Sequence, residues 1–423
     1  MTKVFITSTN CSWNKGSAAQ VISTMEILAK YFNKIEFILS SQYPNLDKKE
    51  AQKNNYNIKI VDFIKQVDNS NSYKQYMYIK LQIISRLIQC IKYKIFKSLK
   101  INNEYISRND WLKELAECDI VINLSGDSFS DGKGGNILWS GLEALCCIVL
   151  KKPLVFFSQS IGPFRKRNML LAKYCLNKAK IIIVREEISK EYLDNLNIKS
   201  PIYITADCAF ILKPANYERI KNILEEEQVS IKKNPLIGVS TNVLFDRENE
   251  MYSQEMAQLI DVIIEKFDAQ IMIIPHVISP FKDGSNDDRA AGVKIFEQCR
   301  NKDNIILIKG EYSPQELKGL IGLTDAFIGG RMHANIAALS SAIPTIAIAW
   351  SHKYYGIMSA VGQEQYAFNF KYMKLEVLLP ILESLLKNGE FIKNELSIQI
   401  KNQEKLAWYS GELVDSTVSD IMK

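Results

Sequence analysis

Short, uninterrupted apolar runs alternate with longer amphipathic segments along most of the chain, and this alternation restricts the possible folds more than any other feature. A first set of runs covers residues 4–7, 35–39, 58–61, 120–124, 154–157 and 181–184. A second set covers residues 236–239, 271–274, 305–308, 326–328 and 345–348. Parallel strands that helices cover on both faces have this uniformly apolar character. The sequence therefore predicts an α/β protein with parallel sheets.

Two sets of strands predict two doubly wound, Rossmann-like domains. We place residues 1–213 in the first domain and residues 214–374 in the second, because the chain from 213 to 234 is polar and charged, as a junction usually is. Residues 375–423 are expected to form one or two helices. Ligands of doubly wound folds bind beyond the carboxyl ends of the strands, so we expect the two domains to face a cleft that holds a ligand.

Composition argues against several classes of protein. The 423 residues carry a formal net charge of only +6, and they contain neither spaced Cys/His fingers nor an aromatic RNA-binding strand, so no nucleic acid is expected. The chain opens on a strand without a long apolar leader, which predicts a cytoplasmic protein whose eight cysteines are reduced and mostly buried. No His, Asp or Glu cluster has metal-ligand spacing, so neither a metal nor another cofactor is predicted.

The chain has only three histidines, and each follows a predicted strand of the second domain. His276 follows the strand at 271–274, His333 follows the strand at 326–328, and His352 follows the strand at 345–348. Carboxyl ends of parallel strands meet at one edge of a sheet, so we expect a site role for His333 above all. Ordinary core or surface positions remain open for His276 and His352.

Cations at the same strand ends predict a site for a small anion. Arg331 lies in a strand-to-helix turn, where backbone N–H groups and the helix dipole attract negative charge. Arg185 follows the strand at 181–184, and Lys353 lies beside His352. An arginine in such a place either grips a carboxylate or phosphate of a ligand or pairs with a carboxylate of the protein itself. We expect these three cations, together with His276 and His352, to bind that anion.

Two polar loops follow strands of the first domain. The loop at residues 8–17 contains Asn14 and Gly16, and it fits neither the dinucleotide-binding nor the P-loop pattern. The loop at residues 125–131 contains Asp127 and Asp131. Their carboxylates can bind sugar hydroxyls or act as a general base. Equally, these two aspartates can have no role beyond capping a turn. Asn14, Gly16, Asp127 and Asp131 are therefore the candidate site residues of the first domain.

An insertion at residues 72–103 has helical periodicity and no acidic residue. Its apolar stripe comprises Met77, Leu81, Ile84, Ile88, Ile91, Ile95 and Leu99. Its remaining surface carries Lys74, Lys80, Arg86, Lys92, Lys94, Lys97 and Lys100. The ordinary interpretation is a helix or helix pair that packs on the sheet and keeps a solvated basic face. The alternative is a surface that contacts anionic lipid headgroups or a diphosphate-bearing acceptor.

The order of several motifs resembles that of the polysaccharide pyruvyl transferase family. The motifs are NKGSAA, SQSIGPF, VREEIS, DCAF, IPHV and GGRMHANIAALSSAIPTIAI followed by SHKYYGI, from about residue 3 to residue 360. The resemblance implies a GT-B-like architecture and an enzyme that moves the pyruvyl group of phosphoenolpyruvate onto a sugar of a surface-polysaccharide precursor. Such acceptors are often carried on a lipid diphosphate, which would place the protein at the inner face of the cell membrane.

The resemblance also implies roles for individual residues. It puts His333 and Arg185 in contact with the donor and Arg331 in the same pocket, and His276, His352 and Lys353 would assist in donor binding. On this interpretation Asn14, Gly16 and Asp131 bind the acceptor, and Asp127 is catalytic. Many members have three glycines where this chain has Ser125-Gly126-Asp127, which leaves the acceptor and the role of Asp127 open. Forming a ketal requires an acid, a base and an anion site, so we expect His333 to move protons while Asp127 or Asp131 orients the acceptor.

Two rival interpretations remain open at this point. The first is a glycosyltransferase of the same architecture that uses a nucleotide-sugar donor, since it would share the cleft and an arginine near a helix N-terminus. The second is a non-catalytic protein that keeps the fold and binds glycan precursors or a partner enzyme.

Overall fold

The computed structural model of the protein describes residues 1–64, 72–100, 109–132, 137–232, 235–280, 286–372 and 374–422. The chain divides into two compact units. Unit 1 comprises Met1–Ser12, Gln20–Cys208 and Leu406–Lys423, and unit 2 comprises Trp13–Ala19 and Ala209–Lys405. The main junction lies close to the predicted one at residue 213. The predicted ranges differ from this division because the short segment Trp13–Ala19 belongs to unit 2 and the end of the chain belongs to unit 1.

Unit 1 contains a seven-stranded parallel sheet with the order β3-β2-β1-β4-β5-β6-β7. Its strands are β1 (Thr2–Thr7), β2 (Ile35–Ser41), β3 (Lys59–Asp62), β4 (Ile120–Asn123), β5 (Leu154–Gln159), β6 (Ile181–Val184) and β7 (Ile202–Ile204). The order changes direction at β1, so the carboxyl ends of β1 and β4 form a switch point, where ligands of such sheets bind.

Unit 2 contains a six-stranded parallel sheet with the order β10-β9-β8-β11-β12-β13. Its strands are β8 (Leu236–Ser240), β9 (Gln270–Ile273), β10 (Ile305–Leu307), β11 (Ala326–Gly329), β12 (Thr345–Ala349) and β13 (Ala367–Asn369). Its switch point lies at β8 and β11 for the same reason.

Helices connect successive strands, as parallel pairing requires. The first eight are α1 (Lys15–Tyr31), α2 (Pro44–Lys53), α3 (Ser72–Ser98), α4 (Asp110–Glu117), α5 (Ile137–Val149), α6 (Lys166–Leu176), α7 (Glu187–Asn195) and α8 (Tyr217–Glu226). The others are α9 (Val243–Glu248), α10 (Tyr252–Phe267), α11 (Asp288–Gln298), α12 (Pro314–Ile321), α13 (Met332–Leu339), α14 (His352–Ser359), α15 (Leu375–Lys387) and α16 (Gly389–Met422).

The prediction of two doubly wound α/β domains is confirmed, and every predicted strand is present. The sequence interpretation missed β7 and β13. Both are short edge strands with partly exposed residues, so neither has the continuous apolar run by which the central strands were recognised. All eight cysteines are buried, and none forms a disulfide.

The insertion forms the helix α3, but the face that it buries is not the predicted one. Ile83 and Cys90 are buried in the core of unit 1, with Ile79, Leu87 and Tyr93 packed beside them. The helix therefore has two apolar faces. The predicted stripe lies on the opposite side and is exposed from Leu81 to Leu99.

Arg86 was predicted to occupy the basic surface, and this was wrong. Its guanidinium donates to the carbonyl oxygens of Phe63 and Asp62 at 2.7 Å each and lies over the ring of Trp111. These contacts tie α3 to the end of β3. The arginine therefore stabilises the attachment of the helix to unit 1 instead of charging its outer surface.

Candidate functional site

The turn after β11 explains why the chain carries two glycines before Arg331. A Cβ on Gly329 would lie 1.6 Å from Oδ1 of Asn335, and a Cβ on Gly330 would lie 3.0 Å from the carbonyl oxygen of Ser240. Gly330 also donates its N–H to Ser240 at 2.9 Å. The glycines therefore let the start of α13 approach the carboxyl end of β8 closely, at the switch point of the sheet.

Arg331 forms a two-point ion pair with Asp288. Its Nη2 lies 2.6 Å from Oδ1, and its Nε lies 3.0 Å from Oδ2. The Asp288 side chain has no exposed surface, and that of Arg331 is 15% exposed. Arg331 was predicted to clamp a ligand anion, whereas the structure gives its charge an internal partner. Such a bidentate pair fixes the orientation of the guanidinium as well as binding it.

Asp288 joins three loops of unit 2, and sequence reasoning gave it little weight. Besides Arg331 after β11, its carboxylate accepts the backbone N–H of Val243 after β8 at 3.2 Å and that of Val277 after β9 at 2.8 Å. A carboxylate 43 positions from its arginine gives no signal in a sequence. The pairing nevertheless holds the three strand ends in register with one another.

His276 and His333 both lie in this part of unit 2, as predicted. His276 is 3% exposed, and neither of its ring nitrogens has a hydrogen-bond partner among the described residues. Burial, followed by the nearby charges of His333, Arg331 and Lys15, lowers the pKa of His276 to about 3. His276 is therefore a neutral imidazole near pH 7, which can accept or donate a hydrogen bond but is not a store of positive charge.

The segment Trp13–Ala19 packs on the histidines within unit 2. Asn14 forms an antiparallel bridge with Val277, and the N–H of Lys15 donates to the carbonyl oxygen of His276 at 3.1 Å. Asn14 and Gly16 were predicted to bind the acceptor as part of the first domain, whereas the structure places them against the predicted donor residues. This difference arises because local sequence cannot show which unit a loop joins.

Lys15 is the main member of this cluster that the sequence interpretation overlooked. Its side chain is fully buried, and its charge acts on His276. Burial of a lysine is uncommon, and only a structure reveals it. Lys15 therefore joins Arg331 and the two histidines as a basic group of this cluster in unit 2.

Gly16 lies directly against the imidazole of His333. A Cβ at Gly16 would lie 2.3 Å from Nδ1 and 2.6 Å from Cγ of His333. We therefore expect Gly16→Ala to displace the ring and to change its nitrogen chemical shifts, which histidine-selective NMR can resolve because the chain has three histidines. Gly389→Ala is the matched control, since a Cβ there meets nothing within 4 Å. Unchanged His333 signals in Gly16→Ala would contradict the close packing.

The remaining donor residues of the second domain follow β12. Lys353 is largely buried, and its Nζ lies 5.2 Å from the centre of the Trp350 ring. The neighbouring Tyr354 donates its hydroxyl to the carbonyl oxygen of Gly330 at 3.0 Å, which links this loop to the turn before His333. His352 begins α14, and its side chain lies outside the described part of the structure. Its predicted role stays a prediction.

Arg185 lies in unit 1 and pairs with carboxylates of the protein itself, which is one of the two roles that its position in the sequence allowed. Its side chain has no exposed surface, and its Nη1 lies 2.5 Å from Oδ2 of Asp207. Its Nε donates to Oγ of Ser160 at 2.9 Å and lies 3.4 Å from Oε2 of Glu186. The guanidinium therefore ties together the ends of β5, β6 and β7. Contact with a donor would require this network to open, so we no longer assign Arg185 to donor binding.

The two aspartates of the loop after β4 have different surroundings. Asp131 accepts the backbone N–H of Arg165 at 2.8 Å and the amide of Asn168 at 2.7 Å, so it caps the start of α6. This supports the turn-capping alternative over acceptor binding. Asp127 is partly exposed, and its carboxylate acts electrostatically on Arg185. Its catalytic role stays a prediction.

A buried carboxylate at the switch point of unit 1 was also overlooked. Glu143 on α5 accepts the hydroxyl of Ser8, at the end of β1, at 2.5 Å, and Ser8 in turn accepts the amide of Asn123 at 2.9 Å. Burial raises the pKa of Glu143 to about 7, although hydrogen bonds from Ser8 and Thr7 act in the opposite direction. The folded protein therefore favours the neutral carboxyl.

Glu143 should make stability fall as the pH rises. Its folded pKa of about 7 exceeds the ordinary value of 4.5, so its neutral form stabilises the fold fully below pH 4.5, and this contribution is lost as the pH passes 7. We expect Glu143→Gln to remove the dependence and to be more stable than the parent above pH 8, by at most about 3 kcal/mol. Guanidinium unfolding from pH 5 to 8.5 measures this, with exposed Glu191→Gln as control. Parallel pH profiles for parent and Glu143→Gln would contradict it.

No group of three or more His, Cys, Asp or Glu side chains suited to a metal ion occurs among the described residues. The unit 2 cluster itself contains basic and imidazole side chains. A neutral imidazole, a second histidine and two cations lie beside a helix N-terminus, which suits an anionic substrate that gains or loses a proton.

Comparison with known proteins agrees with this chemistry. The sequence matches the polysaccharide pyruvyl transferase family over residues 14–352. The amylovoran biosynthesis protein AmsJ of Erwinia amylovora is 23% identical over 322 residues, which cover 74% of this chain and 75% of that protein.

Solved structures with low sequence identity share the fold. UDP-GlcNAc 2-epimerase from Neisseria meningitidis, bound to UDP-GlcNAc, has a TM-score of 0.59 and 12% sequence identity. The match covers 99% of this chain and 99% of that chain. A glycosyltransferase from Rickettsia africae has a TM-score of 0.58 at 13% identity, with 99% of this chain and 98% of that chain covered. These neighbours have the GT-B fold, and at such identity they show the fold alone.

Proposed function

This chain belongs to the polysaccharide pyruvyl transferase family, and from that premise we propose that it moves the pyruvyl group of phosphoenolpyruvate onto a sugar of a surface-polysaccharide precursor. The products would be a cyclic pyruvate ketal and inorganic phosphate. The observation that carries the proposal is the cluster of Lys15, Arg331, His276 and His333 at the strand ends of unit 2. It combines two basic side chains and two imidazoles with a helix N-terminus, and phosphoenolpyruvate carries a carboxylate and a phosphate.

The reaction defines what the protein must supply. A proton adds to C3 of phosphoenolpyruvate, C2 gains positive character, and a sugar hydroxyl forms the first C2–O bond. A second hydroxyl of the sugar then forms another C2–O bond as the C2–O bond to phosphate breaks, and both hydroxyl protons leave. The enzyme therefore needs a general acid, a general base and a place for two anionic groups.

Three parts of the cluster fit these needs. His333 is the acid–base candidate, because imidazole can exchange protons near neutral pH and the ring lies beside the Gly16 backbone within the cluster. Lys15 and the N-terminus of α13 would attract the carboxylate or phosphate. Arg331 would act with Asp288 to hold the loops that carry these groups, and neutral His276 would hydrogen-bond the substrate.

The acceptor side rests on Asp127 alone among the residues first predicted for it. Its partly exposed carboxylate would orient or deprotonate a sugar hydroxyl. Asp131 is a capping residue instead, and Asn14 and Gly16 belong with the histidines.

A donor-exchange assay tests the proposed function. The purified protein is incubated with an acceptor fraction of lipid-linked or free oligosaccharide and either phosphoenolpyruvate or nucleotide sugars. We expect phosphate release and a new ketal methyl signal by NMR with phosphoenolpyruvate only. Release of nucleoside diphosphate from a nucleotide sugar, with no reaction of phosphoenolpyruvate, would establish the glycosyltransferase alternative and contradict the proposal.

A further inference from the structure

We propose that the exposed face of α3 binds the surface of an anionic lipid bilayer, with the helix lying parallel to the membrane plane. The face consists of Leu81, Ile84, Ile88, Ile91, Ile95 and Leu99, here called the α3 stripe. This inference rests on the geometry and charge of α3 and does not depend on the proposed catalytic function.

The α3 stripe is a continuous apolar surface that remains in contact with solvent. Each of its six side chains is between 42% and 62% exposed. Spacings of three and four residues place them on one side of the helix, over a length of about 27 Å at ~1.5 Å per residue. Single exposed apolar residues are ordinary, but a contiguous stripe of this kind marks a binding surface.

The helix is held in place by its other side. Ile83 and Cys90 are buried in the core of unit 1, and α3 packs along α5. Arg86 adds hydrogen bonds to the end of β3. The stripe therefore lies on a helix that is firmly attached to unit 1 through its other face.

The positive charges around the α3 stripe favour an anionic partner. Residues 72–103 contain no Asp or Glu, and Lys92, Lys94, Lys97 and Lys100 are exposed along the helix. Lysine stems reach past neighbouring apolar side chains and leave their ammonium groups at the height of lipid headgroups. Each basic residue near an anionic membrane adds to the attraction.

A basic cavity lies at the C-terminal end of the same helix. It has a volume of about 340 Å³ and is lined by Tyr93, Lys94, Lys97, Ser98, Ala116, Val149, Leu150, Lys151 and Lys152. Four of these lining residues are lysines, and a cavity with basic walls suits a phosphate-bearing headgroup, although the Lys152 ammonium already donates to the carbonyl oxygen of Cys118 at 2.8 Å. The α3 stripe therefore suits the acyl chain boundary of a membrane, and the basic cavity suits its headgroup layer.

A second copy of the chain fits this surface less well. Stacking two α3 stripes would bring their lysines together without any acidic residue of the helix between them. Like charges at close range oppose such a contact. Among the helices of the described chain, none is long and apolar enough to cross a bilayer. An amphipathic helix that lies on the surface is the membrane-binding mode that this sequence supports.

Vesicle co-sedimentation of the full chain tests this proposal. We compare vesicles of phosphatidylcholine with vesicles that contain about 30% phosphatidylglycerol, which gives the membrane a negative surface potential. We expect at least fivefold more protein on the anionic vesicles at low salt. Ile88→Asp/Ile95→Asp should reduce this binding at least fivefold, and Lys94→Gln/Lys97→Gln should reduce it and weaken its salt dependence.

The matched control is Phe391→Asp/Ile398→Asp, which changes two exposed apolar residues of α16 and should leave binding unchanged. Thermal unfolding verifies that each variant is folded. Equal recovery on neutral and anionic vesicles, or full binding by the folded stripe variant, would overturn the proposal. A stripe-dependent dimer in light scattering, without vesicle binding, would overturn it in favour of a second copy. Phosphate release with a water-soluble acceptor should be unchanged in the stripe variant, which separates this test from that of the proposed function.

Discussion

Replacing His333 with asparagine is expected to lower the turnover number for pyruvyl transfer about 1000-fold, because general acid–base groups contribute factors of this size. Asparagine fills similar space and can still hydrogen-bond, but it cannot exchange a proton near neutral pH. His333 occupies the second position of α13, beside the Gly16 backbone, so the substitution should leave the fold intact. Phosphate release and thermal unfolding measure the two effects separately.

His276→Asn is the matched control, since it alters the same type of residue in the same cluster. Burial and the adjacent cations lower the pKa of His276 to about 3, so this imidazole stays neutral and is not the proton donor. We expect about a tenfold loss, mainly in KM, from the lost hydrogen bond to substrate. A larger fall in turnover for His276→Asn than for His333→Asn would contradict the assignment and exchange the two roles.

Asp288→Ala is expected to destabilise unit 2 by about 3 kcal/mol and to abolish most activity. The change leaves the guanidinium of Arg331 largely buried without its carboxylate, and it removes the acceptor for the N–H groups of Val243 and Val277. Unsatisfied buried donors and an unpaired buried charge are among the most costly single changes in a protein. Guanidinium unfolding followed by fluorescence measures the stability.

The adjacent carboxylate provides the comparison for Asp288. Asp287 caps α11 and pairs with Arg289, whose side chain is 31% exposed, so Asp287→Ala should cost about 1 kcal/mol. Asp288→Ala/Arg331→Met should recover about 2 kcal/mol relative to Asp288→Ala, because the unpaired charge is gone. Equal losses for Asp287→Ala and Asp288→Ala would show that Asp288 does not join the three loops as described.

The sequence predicted the two sheets well because central parallel strands are buried on both faces. Such strands contain apolar residues without interruption, as Ile181–Val184 does, and they are recognisable at any place in the chain. The edge strand β7 could not be recognised in this way because Ile202 and Ile204 are only partly buried. The same rule located His276, His333 and Arg331 at strand ends, where the structure brings them together in unit 2.

The contacts within the site could not be predicted, because they join residues far apart in sequence. Arg331 and Arg185 look equivalent as arginines after buried strands, yet each has its own internal carboxylate partner, Asp288 and Asp207 respectively. Lys15 and Gly16 gave no sign that they pack on the second unit's histidines. Periodicity reveals an element and its faces, whereas the partner of a charged side chain depends on tertiary packing.

The insertion shows a different limit of periodicity. The stripe from Leu81 to Leu99 is so regular that it was expected to be the packing face. A second face, formed by Ile79, Ile83, Leu87 and Cys90, is less regular but is the one in the core. When a helix has two apolar faces, the hydrophobic pattern alone cannot tell which one the protein buries.

Soaking crystals of the protein with phosphoenolpyruvate tests the central claim most directly. The claim is that the cationic cluster of unit 2 binds this donor and that His333 moves its proton. We predict phosphoenolpyruvate with its anionic groups beside Lys15 and the N-terminus of α13, and with C3 within about 3.5 Å of the His333 ring. Density for the donor at a site that contacts none of Lys15, His276, Arg331 and His333 would contradict the account.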